Sequence, residues 1–394
     1  MAPSAPAAIE KLLGAKEIVI VCGPGGVGKT TTAAALATAA AARTSARVLV
    51  LTVDPARRLA DALGLDALDN SETRIDPALF KQAAIRPKGE LYAAMLDTSR
   101  AWDALIERFA PSSSVEQILA NPFYRNVTGR FAHSHEYIAM ERLYELHVRG
   151  EYDLLVIDTP PSQSALDFLD APQKMNELFS SRVLRWLGSS TRSRLFEVAS
   201  RPFFQIAGHV LGDEVLNDIA GFLSLFQGMY PGFIERSKAV SSLIRDSRTT
   251  FMVVTTLERG PFDEARRLLG ALDERHVHVG LLVANKILAS SFGTVAGVRL
   301  AEAFEQQPSA IAAELVKSDE ALGDAEQIAK VLAELGHSYA NFHLVANREA
   351  ELFEELSGEH EVRALVPHLM GDVIDLPALL DIGTRLFDAS AQRP

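Results

Sequence analysis

Cysteine is nearly missing from these 394 residues: Cys22 stands alone. A single thiol excludes an intramolecular disulfide, a cysteine zinc site and a cysteine-held iron–sulfur cluster within one chain, and it suits a reducing compartment. Long apolar runs are missing too. No segment approaches the roughly 18 strongly apolar residues of a membrane span, and the opening MAPSAPAAIEKLLGAKE has no basic stretch ahead of an apolar core. Neither stable membrane insertion nor a signal peptide is expected, and the predicted location is cytoplasmic. Positive charge is in short supply as well: 39 Lys and Arg against 51 Asp and Glu give a formal net charge of −12. That balance argues against nucleic acid as a partner, since a phosphate backbone demands a basic surface. What remains is 48% hydrophobic, enough to bury a large core.

The residues that are present speak first at CGPGGVGKTTT, positions 22–32. Gly23, Gly28, Lys29 and Thr30 fit G-x-x-x-x-G-K-[ST], a loop whose backbone N–H groups surround phosphate oxygens. The amides of Gly25, Gly26, Val27, Gly28, Lys29, Thr30 and Thr31 are the candidate cradle. Lys29 is the candidate for the outer phosphates, and the Thr30 hydroxyl for Mg²⁺. Before the loop, residues 17–22 (EIVIVC) form a short apolar run rich in β-branched side chains, and after it residues 30–42 (TTTAAALATAAAA) are strong helix formers. The loop therefore sits between strand and helix, as its chemistry requires. ATP with Mg²⁺ is the expected ligand.

Further strands are predicted at 47–53 (RVLVLTV), 153–158 (DLLVID), 250–255 (TFMVVT), 277–284 (VHVGLLVA) and 362–366. Two weaker runs, 81–85 and 91–96, flank Pro87-Lys88-Gly89 and predict a hairpin at the sheet edge. Helical spacing dominates 100–149 and 165–248, and a charged helical stretch covers 302–356. Strands alternating with helices predict a mostly parallel α/β sheet covered by helices on both faces, with ligands at the carboxyl ends of the strands. Thr30, Asp54, Asp158 and Asn285 all fall at such ends. The chain is expected to be one P-loop ATPase domain over 1–394, with helices of 99–135 and 165–248 inserted in it as a subdomain.

GPGGVGKTTT, TVDPARRLADALG, LLVIDTPPS, LLVANK and VPHLMGDV, in that order, resemble the arsenite-pump ATPases and the ATPases that target tail-anchored membrane proteins, within the MinD/ParA class of P-loop proteins. The resemblance covers most of the chain from Glu17 to about Leu386. It implies that Asp54 activates the attacking water in a first switch, with Lys29 serving the phosphates, and that Asp158 senses Mg²⁺ at a second. It implies likewise that Asn285 recognises adenine and Pro367 lines the base pocket. An amide carrying both donor and acceptor suits a base edge, and an apolar ring suits stacking.

The departures from that pattern are equally specific. The zinc-bound Cys pair of the targeting members and the metalloid-binding cysteines of the arsenite pumps have no counterpart. The second switch reads DTPPSQSALDF in place of a threonine-glycine-histidine stretch. Pro24 stands where the family usually carries a second lysine that reaches the partner's phosphates. Proline supplies no charge, side-chain donor or backbone N–H, so Arg57, Arg58 or a lysine-bearing partner subunit would have to replace it. Three functions remain open. The first is an ATP-driven switch, in a homodimer or heterodimer, that handles a hydrophobic or membrane-protein client. The second is a positioning ATPase of the MinD/ParA kind, and the third a slow-hydrolysing regulatory subunit. Phe179, Trp186, Phe196, Phe203, Phe204, Phe222 and Phe226 supply apolar area for a groove, although such a stripe also makes ordinary core.

Overall fold

The computed structural model describes residues 5–53, 58–127, 134–159, 162–180, 218, 221–222, 225, 229–357, 362–369, 371, 373 and 375–388. Eight strands form one sheet: β1 (Ile18–Cys22), β2 (Arg47–Thr52), β3 (Thr73–Arg74), β4 (Glu90–Met95), β5 (Leu154–Asp158), β6 (Thr249–Thr255), β7 (Val279–Ile287) and β8 (Val362–Pro367). Their spatial order is β3-β4-β2-β5-β1-β6-β7-β8. Every neighbouring pair is parallel except β3 with β4.

β1, β5 and β6 are buried at every residue, which is why they are continuous apolar runs rather than alternating ones: helices cover both faces. Alternate side chains of β1 point to opposite faces. Ile18, Ile20 and Cys22 enter one core with Leu49, Leu51, Phe168 and Phe233. Val19 and Val21 enter the other, beneath the alanine-rich helix Lys29–Arg43 and the helix Leu376–Asp388. Small side chains let these two helices approach closely; a Cβ on Gly383 would stand 2.6 Å from the Ala39 Cβ and 2.7 Å from the Ala35 carbonyl oxygen. Truncating a core residue such as Ile20 to alanine would cost roughly 2–5 kcal/mol.

The expected hairpin is not formed. Residues Pro77–Gln82 are a helix, because the Asp76 side chain caps it by accepting from the Ala78 N–H at 2.7 Å and Pro77 is preset for the first turn. β4 instead runs parallel to β2, and its antiparallel partner at the sheet edge is the two-residue β3. β7 also extends past its expected end, so Asn285 lies inside it, level with Val366 of β8. The charged stretch is three α-helices, Val295–Gln306, Pro308–Ser318 and Ala325–Ser357, with a short 3-10 turn at Glu320–Leu322 before the last. Pro308 restarts the second after the Gln307 break.

Within 99–135 the described chain is helical at Thr98–Phe109, Ser112–Ala120 and Pro122–Val127. Of 165–248, the helices Ser162–Ser180 and Tyr230–Ile244 are described. Phe222 is buried and stacks on Tyr124 at 6.1 Å between ring centroids. That contact is core packing rather than an open groove. The side chains of Phe179, Trp186, Phe196, Phe203, Phe204 and Phe226 lie outside the described residues.

Candidate functional site

At the carboxyl end of β1 the chain turns through Gly23 to Gly28 into the helix Lys29–Arg43. Two glycines there are structurally required. Gly23 has φ +148, and a Cβ on it would meet the Val254 carbonyl oxygen at 1.9 Å; Gly28 has φ +93, and its Cβ would meet the Asn285 amide nitrogen at 2.4 Å. The loop thus runs tightly between β6 and β7. Gly28 is the N-cap and offers no side chain to the first helical amides. Uncapped N–H groups and the positive end of the helix dipole are what a phosphate needs.

Lys29 is buried, and its ammonium donates to the Pro24 carbonyl at 2.8 Å. Thr30, the next residue, donates its hydroxyl to the Asp158 carboxylate at 2.7 Å, and Thr52 donates to the same oxygen at 2.9 Å. Parallel pairing explains the convergence, since Asp158 lies level with Val21 on one side and Thr52 on the other. Asp158 is fully buried. One hydroxyl and one carboxylate fit Mg²⁺, which keeps several waters and takes substrate phosphates as further ligands. Among the described residues no group of three or more His, Cys, Asp or Glu side chains is set to hold a metal by itself.

Asp54, Pro55, Ala56 and Arg57 lie outside the described residues. The described chain stops at Val53, whose N–H donates to the Asp158 carbonyl at 3.1 Å. It resumes at Arg58, exposed at the start of the helix Arg58–Leu63.

The other wall comes from β7 and β8. The Asn285 amide donates to the Val27 carbonyl at 2.8 Å, and the Lys286 ammonium to the Gly26 carbonyl at 2.9 Å. Two consecutive side chains thereby hold two consecutive loop carbonyls. Lys286 adopts φ +59 to do so, a left-handed conformation that costs a side-chain-bearing residue roughly 1–2 kcal/mol. Its exposed ammonium is a cation at the loop rim that sequence reasoning missed; the adjacency in VANK was the available signal. Pro367 closes β8 and lines a cleft of about 500 Å³ with Leu257, Ile287, Leu288, Asn347 and Glu349. Glu349 accepts from the Leu288 N–H at 2.9 Å. Burial raises its carboxyl pKa, with Glu258 adding to the effect against the Leu288 N–H, which lowers it. Cys22, at the base of the loop, is buried, and burial pushes its thiol up to about 12 against the opposing effect of Lys29.

Comparison with known proteins places this geometry. The family model described as anion-transporting ATPase matches residues 16–307. The chain is 26% identical over 288 residues to the ATPase GET3 of Malassezia globosa, covering 72% of this chain and 77% of that protein. It is 24% identical over 277 residues to a putative arsenical pump-driving ATPase 2 of Aquifex aeolicus, covering 68% and 78%. With ATPase ARSA2 of Chlamydomonas reinhardtii the likeness is 23% over 375 residues, 94% of this chain and 89% of that one. A model match spanning strand, phosphate loop, Asp158 and the Asn285 strand shows that the chain is an ATPase belonging to the anion-transporting ATPase family.

Proposed function

We propose that this ATPase is a conformational switch in which Mg²⁺-ATP binding and hydrolysis, in a homodimer or a heterodimer with a related subunit, are coupled to handling of a hydrophobic or membrane-protein client. The fold assignment is one ATPase domain over 1–394 with a helical subdomain at 99–135 and 165–248. The carrying observation is the junction at Asp158. Its carboxylate joins the Thr30 hydroxyl of the phosphate loop to Thr52 of the strand leading to Asp54. Four residues later the chain enters the helix Ser162–Ser180.

In this reading the amides of Gly25 to Thr31 and the Lys29 ammonium bind the phosphates. Thr30 and Asp158 hold the metal, Asp54 orients and deprotonates the attacking water, and Asn285 and Pro367 position the base. Bound Mg²⁺ would neutralise charge developing on the phosphates. Movement of Asp158 would be passed to the helix Ser162–Ser180, which is tied to the helix Arg259–Glu274 region by the paired Arg275–Asp170 contacts at 2.9 and 3.0 Å. The names of the relatives point to different clients. Arsenic binding asks for accessible thiolates, and the one cysteine here is buried and held protonated. That supports a protein client over a metalloid.

A second reading, a slow-hydrolysing regulatory subunit, is favoured by Pro24 in the place of the second lysine. One set of measurements separates the two. Calorimetry should show nucleotide binding lost by at least ~30-fold in Lys29→Ala, and Asp54→Asn should retain binding while turnover falls by at least ~100-fold. Hydrogen exchange of residues 162–180 and 230–244 should differ between ADP and ATP states. Exchange that is identical in both states would remove the switch, leaving the regulatory-subunit reading.

A further inference from the structure

Among the described residues ten large apolar side chains are exposed, and nine of them lie between Val295 and Val345. Four belong to one face of the 33-residue helix Ala325–Ser357. Val331 is 58% exposed, Leu335 53%, Phe342 45% and Val345 48%. With Ser338 they are spaced by four, three, four and three residues, the spacing of a coiled-coil seam. Phe342 packs in part on Phe292, 4.9 Å between ring centroids, and still leaves 45% of its surface exposed. The buried side of the helix, at Ala329, Leu332 and Gly336, already meets the helices Val295–Gln306 and Pro308–Ser318. Most of this helical unit also lies beyond residue 307, where the family match ends.

We propose that this face is an interface between two copies of the chain, crossing antiparallel. Side-chain size and charge both select that arrangement. With a two-fold axis level with Ala340, Leu335 meets Val345 of the second copy and the small Ser338 meets the large Phe342, so these central layers are complementary in volume, while Val331 comes level with Glu349 at the end of the seam. Glu334 and Arg348 are exposed beside the seam, and the same axis brings each next to the other in the second copy, giving two ion pairs. A parallel arrangement would set Phe342 against Phe342 and Ser338 against Ser338. It would also leave Glu334 and Arg348 fourteen residues apart, about 21 Å along the helix. The interface is separate from the phosphate loop and does not rest on the client reading; because the same helix lines the Pro367 cleft with Asn347 and Glu349, it is tested without nucleotide.

Sedimentation velocity of the nucleotide-free full chain from about 1 to 100 µM tests it. Concentration-dependent dimers are expected. Leu335→Glu should weaken association at least about tenfold, by placing a charge in the seam. Leu344→Glu, exposed on another side of the helix, should leave it unchanged. Glu334→Arg alone should weaken association, and adding Arg348→Glu should restore it; a parallel pair, or a fold disturbed by mutation, would not recover in this way. A chain that stays monomeric to about 100 µM would overturn the proposal and assign the face to another occupant. Dimers indifferent to Leu335→Glu, or a double exchange that fails to recover, would overturn it too.

Discussion

The ammonium of Lys29 donates to the carbonyl of Pro24 at 2.8 Å. Any residue there would supply that carbonyl; what Pro24 withholds from the phosphate loop is a side-chain cation and a backbone N–H. An exposed cation from the end of β7, Lys286, is held on the loop, and Arg58 is exposed at the start of the helix that follows β2.

If the missing charge limits catalysis, the chain alone binds ATP but turns it over far below about 10 s⁻¹, a median enzymatic rate. The rate per chain should not climb with protein concentration, and Arg58→Ala should lower what remains. Steady-state phosphate release measures both. An ordinary rate unaffected by Arg58→Ala would make Pro24 only a loop residue.

Lys286→Met removes the ammonium held on the Gly26 carbonyl while keeping the apolar stem. The expected result is a rise in KM for ATP of roughly threefold to tenfold, the size of one solvent-exposed hydrogen bond of about 0.5–1.5 kcal/mol, with kcat little changed. Lys286→Arg should recover most of the loss. A fall in kcat at constant KM would instead assign Lys286 to the transition state.

The loop glycines should not be equivalent. A Cβ on Gly23 meets backbone at 1.9 Å, whereas one on Gly28 meets only the end of the Asn285 side chain. Gly23→Ala should then lower thermal stability sharply, because backbone cannot step aside. Gly28→Ala should leave a folded protein that has lost tight ATP binding through displacement of Asn285 from Val27. A thermal melt and a titration on each variant distinguish the two.

Cys22 provides a pH test. Burial holds its thiol up to about 12, so at pH 8 the reactive thiolate is scarce and reagents cannot reach the sulfur. Native protein should react negligibly with a maleimide at pH 8 and release one thiol in denaturant. Rapid alkylation of the native chain would show that the base of the phosphate loop opens.

The phosphate loop, the parallel sheet and the placement of Thr30 and Asp158 were legible in the linear sequence because each depends on local chemistry. A glycine loop between an apolar run and a helix former has one common use, and continuous apolar runs such as LLVID can be satisfied only beneath helices on both faces. The false hairpin shows where that reasoning stops. Residues 81–85 and 91–96 carry no local mark of which strand each will pair with; Asp76 capping Pro77–Gln82 and the register of β4 on β2 decided it. Similarly, no spacing rule ties Lys286 to Gly26, 260 positions away, or puts the Thr30 and Thr52 hydroxyls on one oxygen of Asp158. The sequence by itself determined which chemical groups exist and which short segments become strand, loop or helix. Tertiary structure alone decided which distant groups meet, because strand order and register arise from burial summed over the whole sheet.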